Sequence, residues 1–429
     1  MNTNRDDPRL SALPPKILPL LYIGTAHLSL ALAFACVAWW PHAVTGFFYH
    51  SWMVALVHLV TLGWITLSIL GAIYIVGPVA LRMPLPARRG DYVAYGFVLV
   101  GLIGMVAHFW IEEFGGMAWS AATATCGIAY VMIRVIAALR RSAAPREVTL
   151  HIRLAGLNLL GAATAGTLLA IDKTQHFLPG FVLSNVFAHA HLAALGWATM
   201  MVVGVGYRLL PMVLPAAPPR GRSVMLSAIL MECGIVVLFL GLIARAWWAI
   251  AGGVLVVAAL VTFFGHVAVM LEHQRPRPPA AIEPDYAVRH VFAAGAWLIG
   301  AIIFGLILLV VPMSEWTLRA AMAYGVFGLV GFLAQMILGL EMRLLPMHAW
   351  YWSFADADFQ RAVVAPQVMG HQRWRGAVFY LWLFGVPALA FGFLLNREGL
   401  VGGGAWMLLA GVVIAAANAV SVFARPRAN

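Results

Sequence analysis

The sequence predicts an all-α polytopic membrane protein with twelve transmembrane helices in three four-helix pseudo-repeats. Three observations predict this fold class: an apolar composition, a series of long apolar stretches, and a motif that recurs along the chain. Of the 429 residues, 63% are hydrophobic and only 10% are charged, a balance typical of chains that cross a bilayer repeatedly. No soluble domain interrupts the pattern, so we predict a single membrane domain over residues 1–429.

A transmembrane helix needs about 20 predominantly apolar residues. Twelve stretches meet this requirement, and they lie near 16–40, 48–78, 91–111, 117–139, 151–171, 181–211, 223–245, 248–271, 290–312, 317–345, 375–395 and 403–423. Each is expected to form one membrane-spanning helix.

The second and sixth stretches carry the same motif. Eight positions match at identical spacing: His58, Leu59, Leu62, Gly63, Trp64, Gly71, Tyr74 and Pro78 correspond to His191, Leu192, Leu195, Gly196, Trp197, Gly204, Tyr207 and Pro211. The tenth stretch keeps Gly331, Phe332, Gly339 and Pro346, with Val326 at the histidine position. Self-similarity of this kind indicates a repeated structural unit. We therefore predict pseudo-repeats over 16–140, 151–272 and 290–423.

Most of the matched positions have a structural interpretation. Small residues let membrane helices approach backbone to backbone, and a proline is expected to end each of these helices. Trp64, Trp197 and Phe332 are predicted to be packing residues. The second, sixth and tenth helices are expected to form the inner wall of the bundle, with Gly63, Gly196 and Gly331 at equivalent depths.

Basic residues predict the orientation. If both termini are cytoplasmic, only Lys173, Arg245, Arg319 and Arg397 of the 27 basic residues face the other side, as the positive-inside rule requires. The formal charge of +11 is then explained by topology and anionic lipid, and nucleic-acid binding is rejected. We predict an integral protein of a bacterial inner membrane. The three cysteines are too scattered for a disulfide framework or covalent haem attachment.

The histidines of the repeated motif are the candidate cofactor ligands. His58 and His191 lie roughly ten residues, or about 15 Å, below the predicted outer surface, on two helices at one depth. A pair of imidazoles on facing helices is a common way to hold a haem in a bundle. The alternative for each is a neutral histidine bonded to a backbone carbonyl or hydroxyl. We predict that His58 and His191 bind a haem between them.

Other histidines extend the set of candidate metal ligands, since imidazole suits iron, copper and zinc. His189 lies two residues before His191 and points about 200° around the helix, toward a different neighbour. His27 and His108 lie on the first and third helices. The metal candidates are therefore His58, His189, His191, His27 and His108, with haem as the expected cofactor and copper as a second one.

Twelve helices, three pseudo-repeats and the His, Gly, Tyr and Pro motif resemble the haem-copper oxidase large subunit over nearly the whole chain, especially its C-type oxidase and nitric oxide reductase branches. The resemblance implies that His58 is an axial ligand of a low-spin haem. It also implies that the stretch from His189 to His191 overlaps a ligand position of the active-site copper.

Two differences between this sequence and that family restrict the functions that we predict. The seventh helix, Val224 to Leu242, lacks the adjacent histidine pair that binds copper, and the tenth offers only Gln335, Met336, Glu341 and Met342 in place of His-x-His. We therefore expect a haem protein of electron transfer or of respiration linked to nitric oxide or oxygen, without a complete binuclear centre. Any enzymatic activity would be that of an oxidoreductase.

The resemblance implies a cytochrome c-type or quinol electron donor, and other respiratory subunits as partners. Two alternatives remain open. The first is a transporter or channel that uses Glu232, Glu341, Arg343 and Arg208 as a polar path. The second is a copper-handling assembly partner of a respiratory complex, with Met200 and Met201 as additional soft ligands.

Overall fold

The computed structural model describes residues 13–276, 282–354 and 365–424. Its spanning helices, numbered in chain order, are α1 Leu18–Trp39, α2 Ser51–Ala80, α3 Arg89–Trp110, α4 Met117–Leu139, α5 Arg146–Gln175, α6 Val182–Val213, α7 Arg222–Ala244, α8 Ala249–Glu272, α9 Tyr286–Val310, α10 Glu315–Phe354, α11 Gln372–Leu394 and α12 Glu398–Ala424. These described ranges contain no β-strand. The predicted all-α polytopic membrane fold, with twelve helices long and apolar enough to cross a bilayer, is confirmed.

The two ends of the bundle differ in the residues they carry. We call the end at which α2, α6 and α10 begin the histidine end, because His58 and His191 lie toward it, and the opposite end the proline end. Both ends of the described chain lie at the proline end. There His348 of α10 is 3.1 Å, through Nε2, from the carbonyl oxygen of Lys16, and its ring centroid is 6.1 Å from that of Phe423.

One of the proline predictions is wrong. Pro78 and Pro211 lie two residues before the ends of α2 and α6, but α10 continues past Pro346 to Phe354. The additional turns are attached to the N-terminal segment, where the indole of Trp352 donates to the carbonyl of Pro14 at 3.1 Å. A proline is tolerated within a membrane helix when neighbouring groups stabilise the turns that follow it.

Close packing of the first two helices recurs in each of the three groups of four. A Cβ added to Gly63 would lie 2.6 Å from Ser29 of α1, one added to Gly196 would lie 3.0 Å from Asn158 of α5, and one added to Gly331 would lie 2.8 Å from Trp297 of α9. Eight residues, or about two helical turns, further along each helix, an added Cβ on Gly71 would meet Tyr22, one on Gly204 would meet His151, and one on Gly339 would meet His290. The glycines thus permit the close approach expected of them.

The third and fourth helices of each group form hairpins: α3 with α4, α7 with α8, and α11 with α12. Glycines again set the spacing. A Cβ on Gly252 would lie 2.4 Å from the backbone nitrogen of Leu238, and one on Gly404 would lie 2.6 Å from that of Leu389. Helix α12 also packs against α1, so the last helix of the described chain contacts the first.

The centre of the bundle is aromatic. Trp64 and Trp197 are 0% and 1% exposed and Phe332 is 4% exposed, so the prediction that they are packing residues is confirmed. The indole of Trp197 donates to the hydroxyl of Thr66 at 3.2 Å and joins α6 to α2. Helices α2 and α10 are the most buried spans, whereas α6 is buried to about the same extent as α1 and α11.

Candidate functional site

The candidate site is built around an irregularity that α2, α6 and α10 share. Each departs from α-helical geometry into a π-helical segment, over Leu59–Thr66, Leu192–Thr199 and Val326–Ala334 respectively. The first two begin directly after His58 and His191, and the third begins at the residue aligned with those histidines. The three segments contact one another pairwise. Such π-segments are uncommon and frequently occur at functional sites.

His58 has a fixed tautomer. Its Nδ1 lies 2.8 Å from the carbonyl oxygen of Val54, and since a carbonyl only accepts, Nδ1 carries the hydrogen. The Nε2 lone pair of the neutral ring is left for another partner. The ring is half-buried and lies parallel to Phe109 of α3, with centroids 5.5 Å apart and an interplanar angle of 24°. A metal-bound histidine commonly shows this same arrangement of its second nitrogen.

His191 repeats this geometry but already has a partner for its second nitrogen. Its Nδ1 donates to the carbonyl of Phe187 at 2.8 Å, so Nε2 accepts, at 3.2 Å, from the hydroxyl of Tyr324 on α10. The two rings also stack, with centroids 5.9 Å apart and an angle of 19°. Tyr324 lies two residues before Val326, the residue aligned with His58 and His191. It was not predicted to belong to the site.

His189 faces a different helix, as its position two residues before His191 predicts. Its ring lies against Gly166 of α5, where an added Cβ would come within 3.0 Å of Cε1, and the carbonyl of Ala162 lies beside it. Its buried Nδ1 has no hydrogen-bond partner among the described residues. His189 is also close enough to His58 for the two rings to interact electrostatically.

The other two candidate ligands lie apart from this group. His108 bonds through Nδ1 to the carbonyl of Glu113 at 2.7 Å, in the turn between α3 and α4. His27 of α1 contacts the edge of Trp64, with centroids 5.0 Å apart, and its Nε2 lies 3.5 Å from a carboxylate oxygen of Glu341. The structure therefore leaves His58 in electrostatic range of His189 and places His27 beside an acidic partner. We do not propose His27 or His108 as metal ligands.

The residues fit the two predicted cofactors differently. Over the described parts of the chain, no three or more His, Cys, Asp or Glu side chains come together in a way that could hold a metal ion, so the multi-ligand set of a copper centre does not fit. A haem iron needs only one or two axial ligands from the protein. His58 satisfies that requirement, and the unpartnered nitrogen of His189 and the Tyr324-bound nitrogen of His191 are the two candidates for a second ligand.

No protein-family model matches this sequence, and no curated protein matches it.

Proposed function

We propose that this chain is a haem-binding integral membrane protein related to the large subunits of respiratory oxidases and nitric oxide reductases. It serves electron transfer, or respiration linked to nitric oxide or oxygen, without a complete binuclear centre. One observation carries the proposal: His58 and His191 each precede a π-helical segment at the bundle centre and each direct Nδ1 to a backbone carbonyl. This arrangement prepares Nε2 for ligation.

His58 would hold the iron, because its Nδ1 is bonded to the backbone and no described side chain bonds to its Nε2. A bound haem supplies a one-electron redox centre whose potential depends on its axial ligands. His191 is the second ligand predicted from the sequence, and it requires the Tyr324 hydroxyl to leave Nε2. His189 is the alternative, because it is in electrostatic range of His58 and has a buried nitrogen without a partner among the described residues. The protein's contribution is to orient these rings and exclude water around them.

The proposed setting is a bacterial inner membrane with the proline end and both termini in the cytoplasm. The distribution of basic residues supports this orientation. The electron donor is then a cytochrome c-type protein or a quinol, and further respiratory subunits are the expected partners. We derive no step through copper, because the described residues do not supply its ligands.

Three of the four residues of the transporter alternative have separate structural partners, and the fourth, Glu341, lies beside His27. The Glu232 carboxylate accepts from the Asn158 amide at 2.8 Å, Arg343 pairs with Asp285, and Arg208 donates to the carbonyl of Ala80 at 2.8 Å. For the copper-handling alternative, Met200 and Met201 are buried in the hydrophobic core. Among the described residues, no contact of Glu232, Arg343 or Arg208 favours the transporter alternative, and none of Met200 or Met201 favours copper handling.

Absorption spectroscopy of the purified protein tests the proposal. We expect an intense haem band in the wild type that His58→Ala removes, because losing the axial ligand leaves the iron weakly held. If His189→Ala also removes the band, His189 is the second ligand. If His191→Ala removes it, His191 is the second ligand. His266→Ala is the control, since that ring bonds to Tyr207 and Ser223 instead. A wild type without haem after expression with haem supplied, or a band unchanged by His58→Ala, would refute the assignment.

A further inference from the structure

A buried acidic residue and a buried histidine face each other outside the candidate haem site. His27 of α1 is 8% exposed and Glu341 of α10 is 4% exposed. The two atoms that approach most closely, Nε2 of His27 and an oxygen of the Glu341 carboxylate, are 3.5 Å apart. Ionisable groups at such positions in a membrane helix bundle are costly and are candidates for function.

The hydrogen bonds of His27 determine how many protons this pair must hold. Its Nδ1 lies 3.0 Å from the carbonyl oxygen of Ile23, and because a carbonyl only accepts, Nδ1 carries a hydrogen. In a neutral ring, Nε2 would then present a lone pair to the carboxylate. If Glu341 were ionised as well, two acceptors would face each other with no proton between them. One further proton, on Nε2 or on the carboxylate, removes this conflict.

Among the described residues, no other side chain relieves this conflict. The Ser68 hydroxyl of α2 lies beside Glu341, but neither carboxylate oxygen receives a hydrogen bond of regular geometry from the described residues. Arg343, two residues along α10, is paired with Asp285. A buried carboxylate without a donor or a counter-charge is strongly disfavoured. The extra proton is therefore the simplest way to make the pair electrically neutral.

The pair also borders a small cavity. A cavity of about 20 Å³ is lined by His27, Glu341, Met342, Arg375, Ala415 and Asn418, among others, which is roughly the space that one water needs. The titratable or charged residues of this lining are His27, Glu341 and Arg375. Arg375 belongs to the first turn of α11, at the proline end, and donates to the carbonyls of Gln367 and Met369.

We propose that His27 and Glu341 form a proton-binding site that holds one exchangeable proton and is reached through this cavity. Loading transfers a proton from hydronium to Nε2 of His27 or to the Glu341 carboxylate, forms one N–H or O–H bond, and leaves water. The charge of the pair changes from minus one to zero, and no oxidant or reductant takes part. The proposal does not rest on the presence of haem.

Infrared spectroscopy of the carboxyl group and nitrogen-15 NMR spectroscopy of the imidazole ring, both on the wild-type protein at neutral pH, show how many protons the pair holds. A protonated Glu341 with a neutral His27, or an ionised Glu341 with a doubly protonated His27, supports the proposal. An ionised carboxylate with a neutral ring, or both groups protonated, overturns it. Glu341→Gln and His27→Gln assign the signals, and Glu232→Gln is the matched control, because Glu232 already accepts from Asn158. If Glu341→Gln does not fold, Glu341→Asp shifts the carboxyl band instead of deleting it.

The cavity is tested by hydrogen–deuterium exchange of the same signal. Ala415→Leu adds bulk to the cavity lining and is expected to slow the exchange at least several-fold. Ala417→Leu makes the same change on an exposed face of α12 and is expected to leave the rate unchanged. Equal exchange rates in the wild type and in Ala415→Leu would show that the proton does not pass through the cavity.

Discussion

Several helical histidines share one hydrogen bond, from Nδ1 to the carbonyl four residues earlier. It occurs at His27, His58, His151, His191 and His273, at 2.8–3.0 Å. The bond satisfies one ring nitrogen within the helix and fixes which tautomer the neutral ring adopts. The chemistry of each ring is then decided by what Nε2 meets: a tyrosine hydroxyl at His191, a carboxylate at His27.

The bond between Tyr324 and His191 predicts a measurable coupling. Tyr324→Phe keeps the stacked ring and removes only the hydroxyl, so we expect the free energy of unfolding to fall by about 0.5–1.5 kcal/mol. In a His191→Ala background we expect Tyr324→Phe to lower the free energy of unfolding much less, because the hydroxyl no longer has its hydrogen-bond partner. Equilibrium unfolding in detergent measures the effect of the substitution on the free energy of unfolding in each background. Identical costs in the two backgrounds would mean that the hydroxyl does not bond to His191.

His50 predicts a pH dependence at the start of α2. Its Nδ1 accepts from the amide of Met53 at 3.3 Å and caps the helix. Burial lowers the pKa of His50, partly opposed by the charge of Glu112. Because the folded-state pKa is depressed, the cap is fully present above the ordinary histidine pKa of about 6.5 and is lost as pH falls through the folded-state value.

We expect amide exchange at residues 51–54, corrected for intrinsic rates, to accelerate as the solution becomes acidic. His50→Asn is the control, since asparagine also caps helices but does not titrate. An acid-dependent acceleration of the same size in His50→Asn would contradict the role of His50.

The sequence identifies candidate residues of the site better than it identifies the residues they contact. The motif was sufficient to select His58 and His191, because a histidine repeated in an apolar helix is conspicuous. The partners Tyr324 and Glu341 depend on how α10 is rotated against α6 and α1, and no local pattern encodes that rotation. From the sequence, Glu341 was assigned only to a possible polar path, and in the structure it is buried beside His27.

At the scale of helices, the twelve spans were predictable because hydropathy directly measures the cost of crossing a bilayer. The three π-helical segments were not. Their sequences, such as Leu59–Thr66, are ordinary apolar runs, and the irregularity is visible only in the backbone. The end of α10 was mispredicted for a related reason, because contacts of His348 and Trp352 with the N-terminal segment lie outside the local sequence.

The glycine-spaced hairpins predict a sharp contrast between two substitutions in α8. Gly252→Ala places a Cβ 2.4 Å from the backbone nitrogen of Leu238, so α7 and α8 must separate, and we expect a loss of about 1–3 kcal/mol in the free energy of unfolding. Gly265→Ala is the matched control, because no atom lies within 4 Å of the added Cβ. It should be neutral, or stabilising by up to about 1 kcal/mol. Equal effects would mean that the hairpin tolerates a wider spacing.

At the scale of the whole molecule, the arrangement of the described residues predicts that oxygen-reducing activity is negligible. Oxygen reduction requires a centre that delivers several electrons and protons, and the described residues do not gather the ligands of a copper partner. We expect the purified wild-type chain, supplied with an artificial electron donor, to bind at most one haem centrally and to consume oxygen negligibly. Oxygen electrode measurements decide this. Rapid cyanide-sensitive consumption would show that a complete catalytic centre exists.

The three π-helical segments also bear on the history of the chain. A π-helical turn differs from an α-helical one by a single extra residue, which is the mark left by an insertion in a helix. Segments at matching places in α2, α6 and α10 would require three independent insertions if each helix had acquired its own. A single insertion in an ancestral four-helix unit, copied by two later duplications, requires one. We therefore predict that the irregularity is older than the twelve-helix protein, and that Val326, the residue aligned with the two histidines, lost or never gained a histidine after copying.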